Sequence, residues 1–336
     1  MKPTKLLLML TAVICLFVCS CSDDDDLSIT NVVYINDNGE ASNGADFVAI
    51  DSATIYLDHI QYKLSPSEIN TVPRNYMFVT GYDKDKFTGN ESIVSLISYK
   101  GKTYTNYSIS NNAFKDCKKL TKIVIPDSLR LVHGDSFQNC TELVSIIVYP
   151  TNPYLDSRNN CNGVIDTKKN ELICGCKTTV IPNSVVSIGQ GAFFGCKALT
   201  SLEIPNSVTS IGVFAYGLCE GLTEIEIPNS VRKIGASAFA SCRNVTTITI
   251  GENVEEIGVH AFDTHSFIKS IHCKAMTPPL CMSGNNPPVW DSVFDLNAYY
   301  SATLYIPKGT KDAYKKSLNY YKTYSDWGQF DNIVEE

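Results

Sequence analysis

Apolar and polar residues follow one repeating pattern along most of the chain, as in "SLEIPNSVTSIGVFAYGLCEGLTEIEIPNSVRKIGASAFASC", which begins at Ser201. Each unit has two apolar residues separated by one position, a Pro-Asn-Ser turn, an Ile-Gly pair, an Ala-aromatic pair and a Cys. Alternation with a period of two predicts a short strand with one buried face. Proline has no N–H for a ladder, so the strand is expected to end in a turn there.

The units recur at a fixed interval. The first residue of the Ala-aromatic pair stands at Ala113, Ser136, Ala192, Ala215, Ala238 and Ala261, at intervals of 23 residues with one exception of 56. A period in the twenties with one short strand per unit is typical of leucine-rich repeats. One such coil buries too little apolar surface to fold alone, so the coils must stack on one another. The sequence therefore predicts a leucine-rich repeat solenoid with 23-residue coils and a parallel β ladder.

Three stretches, "AFKDCKKLTKIVIPDSL", "AFFGCKALTSLEIPNSVTSIG" and "AFASCRNVTTITI", resemble the repeats of BspA-like, treponemal-type leucine-rich repeat surface proteins. The resemblance covers residues 104–283, and "NPYLDSRNNCNGVIDTKKNELICGCKTTVIPNSV" is similar to the longer irregular unit of that family, at about 151–191. The stretch "ATLYIPKGTKDAYKK" is similar to the family's C-terminal cap, placed at 284–336. Residues 27–103 are expected to form a small β-rich region and an N-terminal cap.

The N-terminus has the features of an export signal. Lys2 and Lys5 precede "LLLMLTAVICLFVCSC", which is typical of a signal peptide over residues 1–20. Val18-Cys19-Ser20-Cys21 resembles a bacterial lipobox, so Cys21 is the predicted lipidation site, with ordinary signal cleavage as the alternative. The acidic run in 21–26 resembles the surface-export signal of Bacteroidetes-type lipoproteins, or is a solvated spacer. We expect an exported outer-membrane lipoprotein, exposed at the cell surface and attached to the membrane by its lipid.

The charge of the chain argues against nucleic acid as a partner. The full sequence has 28 basic and 35 acidic residues, a formal net charge of −7. Nucleic-acid binding needs a basic surface that displaces counterions, so this class of partner is excluded. No G-x-S-x-G, H-E-x-x-H or Walker motif is present, and the five histidines have no nucleophile at a spacing that suggests a triad. The sequence thus predicts a protein that is not an enzyme and uses no cofactor.

Cysteine occupies one position of the repeat. Four residues after the start of each Ala-aromatic pair stand Cys117, Cys140, Cys196, Cys219 and Cys242, with His265 in the last unit. Export would favour disulfides, but each of these cysteines has similar neighbours above and below, and His265 has no thiol. We therefore interpret them as buried free thiols. The alternatives for Cys161, Cys174 and Cys176 are core packing and a metal site, and their spacing matches no zinc pattern, so core packing is favoured.

The outward positions of the predicted repeat strands are the candidate binding face. The residues chosen from it are Lys122, Val124, Ile147, Val180, Glu203, Glu224, Glu226 and His272. Val124, Ile147 and Val180 form an apolar stripe that is either covered, by residues 27–90 or by long side chains, or exposed to a partner. The three glutamates form a solvated face, bridge calcium, or meet a basic patch of a partner. The Tyr-rich C-terminus either packs as a cap or stacks on sugars.

These observations predict a binding protein whose repeat face contacts a protein or glycan at the cell surface. The resemblance implies adhesion, because BspA-like proteins are associated with attachment to host matrix proteins and to other bacteria. The alternative is a structural or accessory subunit of an outer-membrane complex, which an exposed apolar stripe would favour. A repeat scaffold keeps the same core whatever it binds, so the pattern alone specifies no ligand.

Overall fold

The structure is a computed structural model that describes residues 32–36, 40–42, 47–50, 53–69, 72–87, 89–100, 102–282, 292–318 and 326–336. The predicted signal peptide, the lipidation site Cys21 and the acidic run in 21–26 lie outside these residues. None of the described helices is long and apolar enough to cross a membrane.

Short strands dominate the described part of the chain. They are β1 (Val32–Tyr34), β2 (Phe47–Ala49), β3 (Thr54–Leu57), β4 (Ile60–Ile69), β5 (Val72–Tyr82), β6 (Asn90–Ser92), β7 (Leu96–Tyr99), β8 (Lys102–Ile109), β9 (Lys122–Ile125), β10 (Leu131–Val132), β11 (Ser145–Val148), β12 (Leu155–Asp156), β13 (Gly163–Asp166), β14 (Glu171–Gly175), β15 (Ser187–Ile188), β16 (Ser210–Ile211), β17 (Glu224–Glu226), β18 (Lys233–Ile234), β19 (Thr247–Ile250), β20 (Glu256–Gly258), β21 (Ser270–Cys273), β22 (Leu280–Met282), β23 (Thr303–Ile306) and β24 (Asn332–Glu335). Two short α-helices, α1 (Leu296–Ser301) and α2 (Lys311–Lys316), lie near the C-terminus.

The N-terminal region forms a mixed sheet in the order β1-β7-β8-β5-β4-β3-β2, with β10 added beside β8. Its strands alternate buried and partly exposed residues, as in β3, so one face packs on the core and the other meets solvent. The N-terminal region was predicted to end at residue 103, but β8 continues to Ile109 and pairs with β10 in the first repeat. The N-terminal region and the first repeat therefore share one sheet.

Two parallel β ladders run through the repeats, which confirms the predicted leucine-rich repeat fold with parallel strands. The first ladder contains β6, β9 and β11 and, after an interruption, β17, β19, β21, β23 and β24. The second ladder contains β14, β15, β16, β18, β20 and β22. In the regular units each residue pairs with the residue 23 positions later, as Glu224 does with Thr247 and Lys233 with Glu256.

The Ala-aromatic turns form a third, hydrogen-bonded face, which we call the turn face. The N–H of Phe193 donates to the carbonyl of Ala215 at 2.7 Å, and the N–H of Tyr216 donates to Ala238 at the same distance. Beneath these turns the aromatic rings stack in a row from Phe193 to Phe294, with centroid separations of 4.9 to 5.5 Å. The Ala-aromatic pair recurs because each ring packs on the ring of the next coil.

The repeated cysteines lie in the core beside the aromatic row. The thiols of Cys140, Cys219 and Cys242 donate to the carbonyl of the aromatic residue 26 positions earlier, at 3.0 to 3.2 Å. All ten cysteines of the described residues are free, and nine of them are buried; Cys196 is half-buried. The thiols of Cys140, Cys219 and Cys242 therefore fill small buried sites and each satisfy one backbone carbonyl of the coil before them.

The prediction that His265 takes the Cys position is wrong. In the preceding turns the residue before the Cys has a positive φ, as at Leu218 (φ 61) and Ser241 (φ 59). In the last turn His265 itself has φ 52, so the turn is shifted by one residue. The His265 side chain is exposed, and Ser266 is buried and donates to the carbonyl of Val245 at 2.6 Å.

The irregular unit separates the core into two clusters. In the hairpin of β13 and β14, Val164 and Cys174 are paired and pack into the N-terminal cluster. Ile165 and Leu172 are also paired and pack into the C-terminal cluster. A register shift after Val164 keeps the two pairs on opposite faces. The hairpin thus contributes side chains to both core clusters.

The C-terminal residues close the open end of the solenoid. The Tyr299, Tyr314 and Trp327 side chains are buried, and the Trp327 indole N–H donates to the carbonyl of Pro279 at 2.9 Å. Phe294 continues the aromatic row, and Phe330 packs edge-on against it at 5.4 Å. Of the two interpretations of the Tyr-rich C-terminus, these side chains support a packed cap.

Candidate binding face on the first ladder

The structure distributes the predicted binding residues over three parts of the first ladder. Lys122 and Val124 lie on β9 and Ile147 on β11, in the N-terminal part. Glu224 and Glu226 lie on β17, and His272 on β21, in the C-terminal part. Val180 and Glu203 lie between them, on segments that form no strand.

The predicted apolar stripe is not continuous. Val124 is only 6% exposed and lies on β9, which is paired with β6 on one side and β11 on the other. Ile147 on β11 is half-buried, whereas Val180 is 67% exposed. Val124 therefore contributes nothing to an accessible surface, and Val180 is the position of the three that a partner can reach fully.

The first ladder is open where the sequence predicts two further strands. The segments 178–182 and 201–205 form no strand, although Leu202 and Ile204 alternate as in the paired units. In the first segment the Thr178 hydroxyl still donates to the carbonyl of Val144, the residue before β11, at 2.6 Å, whereas the Val180 N–H donates to the carbonyl of Cys161 at 3.0 Å. The irregular unit thus binds the Val180 N–H, and no strand continues beside β11.

A cleft of about 510 Å³ lies between these two segments. It is lined by Asn159, Val180, Ile181, Pro182, Asn183, Glu203, Ile204 and Pro205. Two of the predicted face residues, Val180 and Glu203, are therefore brought together in one concave site. Its walls combine amide groups, one carboxylate and apolar proline rings, which can orient an extended polar ligand.

The C-terminal part of the first ladder presents polar side chains in register. The outward row from β17 to β23 is Glu226, Thr249, His272 and Tyr305. The rings of His272 and Tyr305 stack at 4.5 Å, and His272 Nδ1 lies 3.0 Å from Glu336 Oε1. On β19 the neighbours of Glu224 and Glu226 are threonines. Both carboxylates therefore face solvent beside uncharged hydroxyl groups, without an ion pair among the described residues.

A second concave site was missed by sequence reasoning. A cleft of about 340 Å³ lies beside the β10 edge, with Arg130, Asp135, Asp166, Lys169 and Glu171 among its lining residues. Charges of both signs are interspersed there. The 56-residue interval was the signal that could have located it, because a longer unit must leave the ladder somewhere.

The buried thiols have the chemistry of core residues. Burial raises the pKa of the Cys242 thiol to about 12 and that of Cys161 to about 11, so both are neutral at physiological pH. Cys176 donates to the carbonyl of Asn162 at 3.4 Å. Within the described ranges no group of three or more His, Cys, Asp and Glu side chains is arranged to hold a metal ion.

Comparison with known proteins gives one sequence-family match. The profile of the BspA type Leucine rich repeat region matches six copies, over residues 87–161 and 171–277. No curated protein matches the chain.

Several solved structures resemble the chain at low identity. A leucine-rich repeat protein from Bacteroides ovatus is 24% identical over 76% of this chain, with a TM-score of 0.35, and the match spans 55% of that protein's length. The leucine-rich repeat protein of T. pallidum is 19% identical over 77% of this chain and 92% of its own, with a TM-score of 0.35. A leucine-rich cell surface protein of Faecalibacterium prausnitzii is 18% identical over 87% of this chain and 95% of its own, with a TM-score of 0.33.

Proposed function

The chain belongs to the BspA type leucine-rich repeat family, and from this premise we propose that it is a non-catalytic binding protein of the cell surface. Its ligand is a protein or glycan of a host or of another bacterium, and binding serves adhesion. The contact surface is the outer face of the first ladder together with the cleft between segments 178–182 and 201–205.

The observation that supports this proposal is that the coils bury their inward side chains and expose their outward ones. Inward positions such as Ile225 and Ile248 are buried, whereas the outward Glu224 and Glu226 are exposed. The exposed side chains make no contribution to the aromatic row or the thiol sites. They can therefore be adapted to a ligand without loss of the core.

The proposed organisation of the chain follows the sequence analysis. Residues 1–20 direct export, Cys21 carries lipid, and residues 21–26 form an acidic tether. Residues 27–103 are the N-terminal β-rich region, 104–283 are the 23-residue repeats with the irregular unit at about 151–191, and 284–336 are the C-terminal cap. One acyl chain binds membranes only marginally, so a diacylated Cys21 is the stable form of the anchor.

The alternative, a permanent subunit of an outer-membrane complex, rests on an exposed apolar stripe. The burial of Val124 and the partial burial of Ile147 leave that stripe short. A permanent interface is usually large and apolar, so the described part of the first ladder favours the adhesin.

Protease shaving of intact producing cells tests the proposal. We expect release of peptides from residues 104–283, with an acylated N-terminal peptide at Cys21 remaining in the membrane fraction. A Cys21→Ser variant is the control, because it should lose the acyl group and leave the membrane. Full protection of the repeats in intact cells, with cleavage only after lysis, would contradict surface exposure.

A further inference from the structure

The cleft beside β10 lies where the irregular unit meets the first repeats. Leu131 and Val132 of β10, Glu171 and Ile173 of β14, and Phe214 of the turn face are among its lining residues; we call it the β10 cleft. Its volume of about 340 Å³ falls within the range of pockets that hold small molecules, roughly 300–1,000 Å³.

Two basic side chains of the β10 cleft have no acidic partner. The guanidinium of Arg130 lies 4.7 Å from the centroid of the Tyr154 ring and 5.9 Å from that of Tyr107. Neither Arg130 nor Lys169 forms an ion pair within the part of the chain that the structure describes. A guanidinium stacked on aromatic faces keeps the donors at its edge free, and these donors bind a carboxylate in a bidentate manner.

The carboxylates of the cleft are held by neutral donors. Both oxygens of Asp135 accept from the side-chain amide of Asn111 at 3.1 Å. Asp166 Oδ1 accepts the backbone N–H groups of Lys168 and Lys169 at 2.9 and 2.8 Å. A carboxylate has about four acceptor sites, so each of these groups can accept further hydrogen bonds from hydroxyl groups of a ligand.

An exposed aromatic ring lies at the side of the cleft on a strained backbone. Phe214 is 43% exposed and has φ 54, in the left-handed region that bulky residues rarely adopt. The same turn position in the first repeat is Asn112, with φ 57. Asparagine tolerates this conformation, so the turn itself does not require phenylalanine. The Phe214 ring packs edge-to-face against Phe194 at 5.7 Å, and strain at such an exposed position points to a role in binding.

These groups together select a sugar that carries a carboxylate. Basic groups without partners can bind its carboxylate, acidic groups with free acceptor sites can bind its hydroxyl groups, and an aromatic ring can pack on the apolar C–H face of its pyranose ring. A neutral sugar would leave both cations unpaired, and a simple carboxylate would leave the aromatic ring without a contact.

We propose that the β10 cleft binds a carboxylated sugar unit of a glycan. Arg130 and Lys169 bind its carboxylate. Asp135 and Asp166 accept hydrogen bonds from its hydroxyl groups, and Phe214 packs against its ring. This inference rests on the proposed function, because it names the class of glycan that the adhesin binds, and it adds a contact site away from the first ladder.

Binding of small sugars to the full chain tests the inference. The chain is purified in a nonionic detergent without sugar groups. The probe is methyl β-D-glucuronide, and methyl β-D-glucoside is the neutral control with the same ring. We expect saturable binding of the glucuronide in saturation-transfer NMR, with the largest transfer to the protons of one ring face. The glucoside should bind about tenfold more weakly or less.

Matched arginine variants test the contact with the carboxylate. Arg130→Gln should weaken glucuronide binding about tenfold or more, because it removes the charge-assisted hydrogen bonds. Arg130→Lys keeps the charge but not the bidentate geometry, so its affinity should lie between those of the wild type and Arg130→Gln. Arg243→Gln changes an exposed arginine outside the cleft and should leave binding within about twofold.

Phe214→Asn tests the contact with the sugar ring. Asparagine suits the left-handed backbone, so urea denaturation should show no loss of stability, whereas glucuronide binding should weaken about fivefold. Unchanged binding in this variant would contradict the ring contact and with it the sugar. Equal binding of glucuronide and glucoside, or unchanged binding in Arg130→Gln, would also overturn the inference. So would binding of acetate or alanine as tightly as the glucuronide, because the site would then recognise a carboxylate without a sugar.

The inference and the proposed function fail in different experiments. If the glucuronide does not bind but shaving still releases residues 104–283 from intact cells, the sugar site is refuted and the surface exposure stands. If the repeats are protected in intact cells but the glucuronide binds as described, the site stands and the adhesin function falls.

Discussion

The regular coils and the irregular unit both bury apolar side chains in the core, but their backbones pair differently. From Ala192 onward, the turn face and the second ladder connect each coil to the next, and the first ladder joins them from β17. Across the irregular unit the turn face is still connected, because the N–H of Asn139 donates to the carbonyl of Gly195 at 3.1 Å. The first ladder is interrupted there, and the second ladder begins at β14 of the hairpin. The turn face and the hairpin, whose side chains pack into both clusters, therefore hold the two halves of the solenoid in contact.

The difference shows where a repeat array can acquire a binding site. A regular coil satisfies its backbone with its neighbours, so its function is limited to outward side chains. In place of one regular coil, the irregular unit has the hairpin of β13 and β14. This hairpin packs into both core clusters and leaves a cleft on each ladder face. These two concave sites lie where the repeat is broken, so neither follows from the repeat pattern.

Removal of one ring from the regular row is expected to have the largest effect on stability. Phe239 stacks on Tyr216 at 5.2 Å and on Phe262 at 5.5 Å, so Phe239→Ala should lower the free energy of unfolding by about 3–5 kcal/mol. Phe137 stacks on Phe114 at 5.5 Å at the end of the N-terminal row. Phe137→Ala should cost less, as measured by urea denaturation followed by circular dichroism. Equal losses would contradict this expectation, because Phe137 with one stacked ring would then contribute as much as Phe239 with two.

The junction should be sensitive to added volume, in contrast to the regular row. A Cβ at position 175 would lie 2.4 Å from Cε1 of Phe193, and that ring is held against Tyr216 at 4.9 Å. Gly175→Ala should therefore destabilise the protein by about 1–3 kcal/mol in urea denaturation. The double variant Gly175→Ala/Phe193→Leu tests the cause, because a smaller side chain at 193 should recover part of the loss. Simple additivity of the two changes would rule out the steric explanation.

The sequence predicts the regular part of the fold far better than the junction. The Ala-aromatic pair, the thiol row and the parallel strands each repeat. Each of these packing requirements therefore appears in the sequence several times. The second ladder was not predicted as a β ladder, because strands as short as Ser210–Ile211 carry no periodicity. Residues 201–205 have the sequence of a strand but form none beside the irregular unit, and the repeat pattern does not predict this difference. His265 was misplaced because a constant interval conceals a turn shifted by one residue.

Alkaline titration distinguishes thiols of the two regions. The thiol of Cys242 has its pKa raised by burial from 9.0 to about 12, so between these values the unfolded chain releases a proton that the folded chain retains. The free energy of unfolding should then fall by about 1.4 kcal/mol per pH unit for that thiol. Cys242→Ala should reduce this slope from pH 9 to 12, as followed by urea denaturation at a series of pH values.

Cys161 in the irregular unit has its pKa raised to about 11, so Cys161→Ala should reduce the slope only up to that pH. Unchanged slopes in both variants would show that the thiols are accessible to hydroxide in the folded protein.

The smallest expected effect concerns Tyr216, a ring of the aromatic row that carries a buried hydroxyl. Tyr216 takes the place of the Phe found in the next two coils, and its buried hydroxyl has no hydrogen-bond partner among the described residues. Tyr216→Phe keeps the stack and removes the unpaired group, so it should raise the free energy of unfolding by about 1 kcal/mol. The reciprocal Phe239→Tyr change should lower it by a similar amount, because it adds the same unpaired hydroxyl one coil later. A loss of stability in Tyr216→Phe would mean that the Tyr216 hydroxyl forms a hydrogen bond in the folded protein in solution. The aromatic row would then accommodate this polar atom because its hydrogen bond is satisfied.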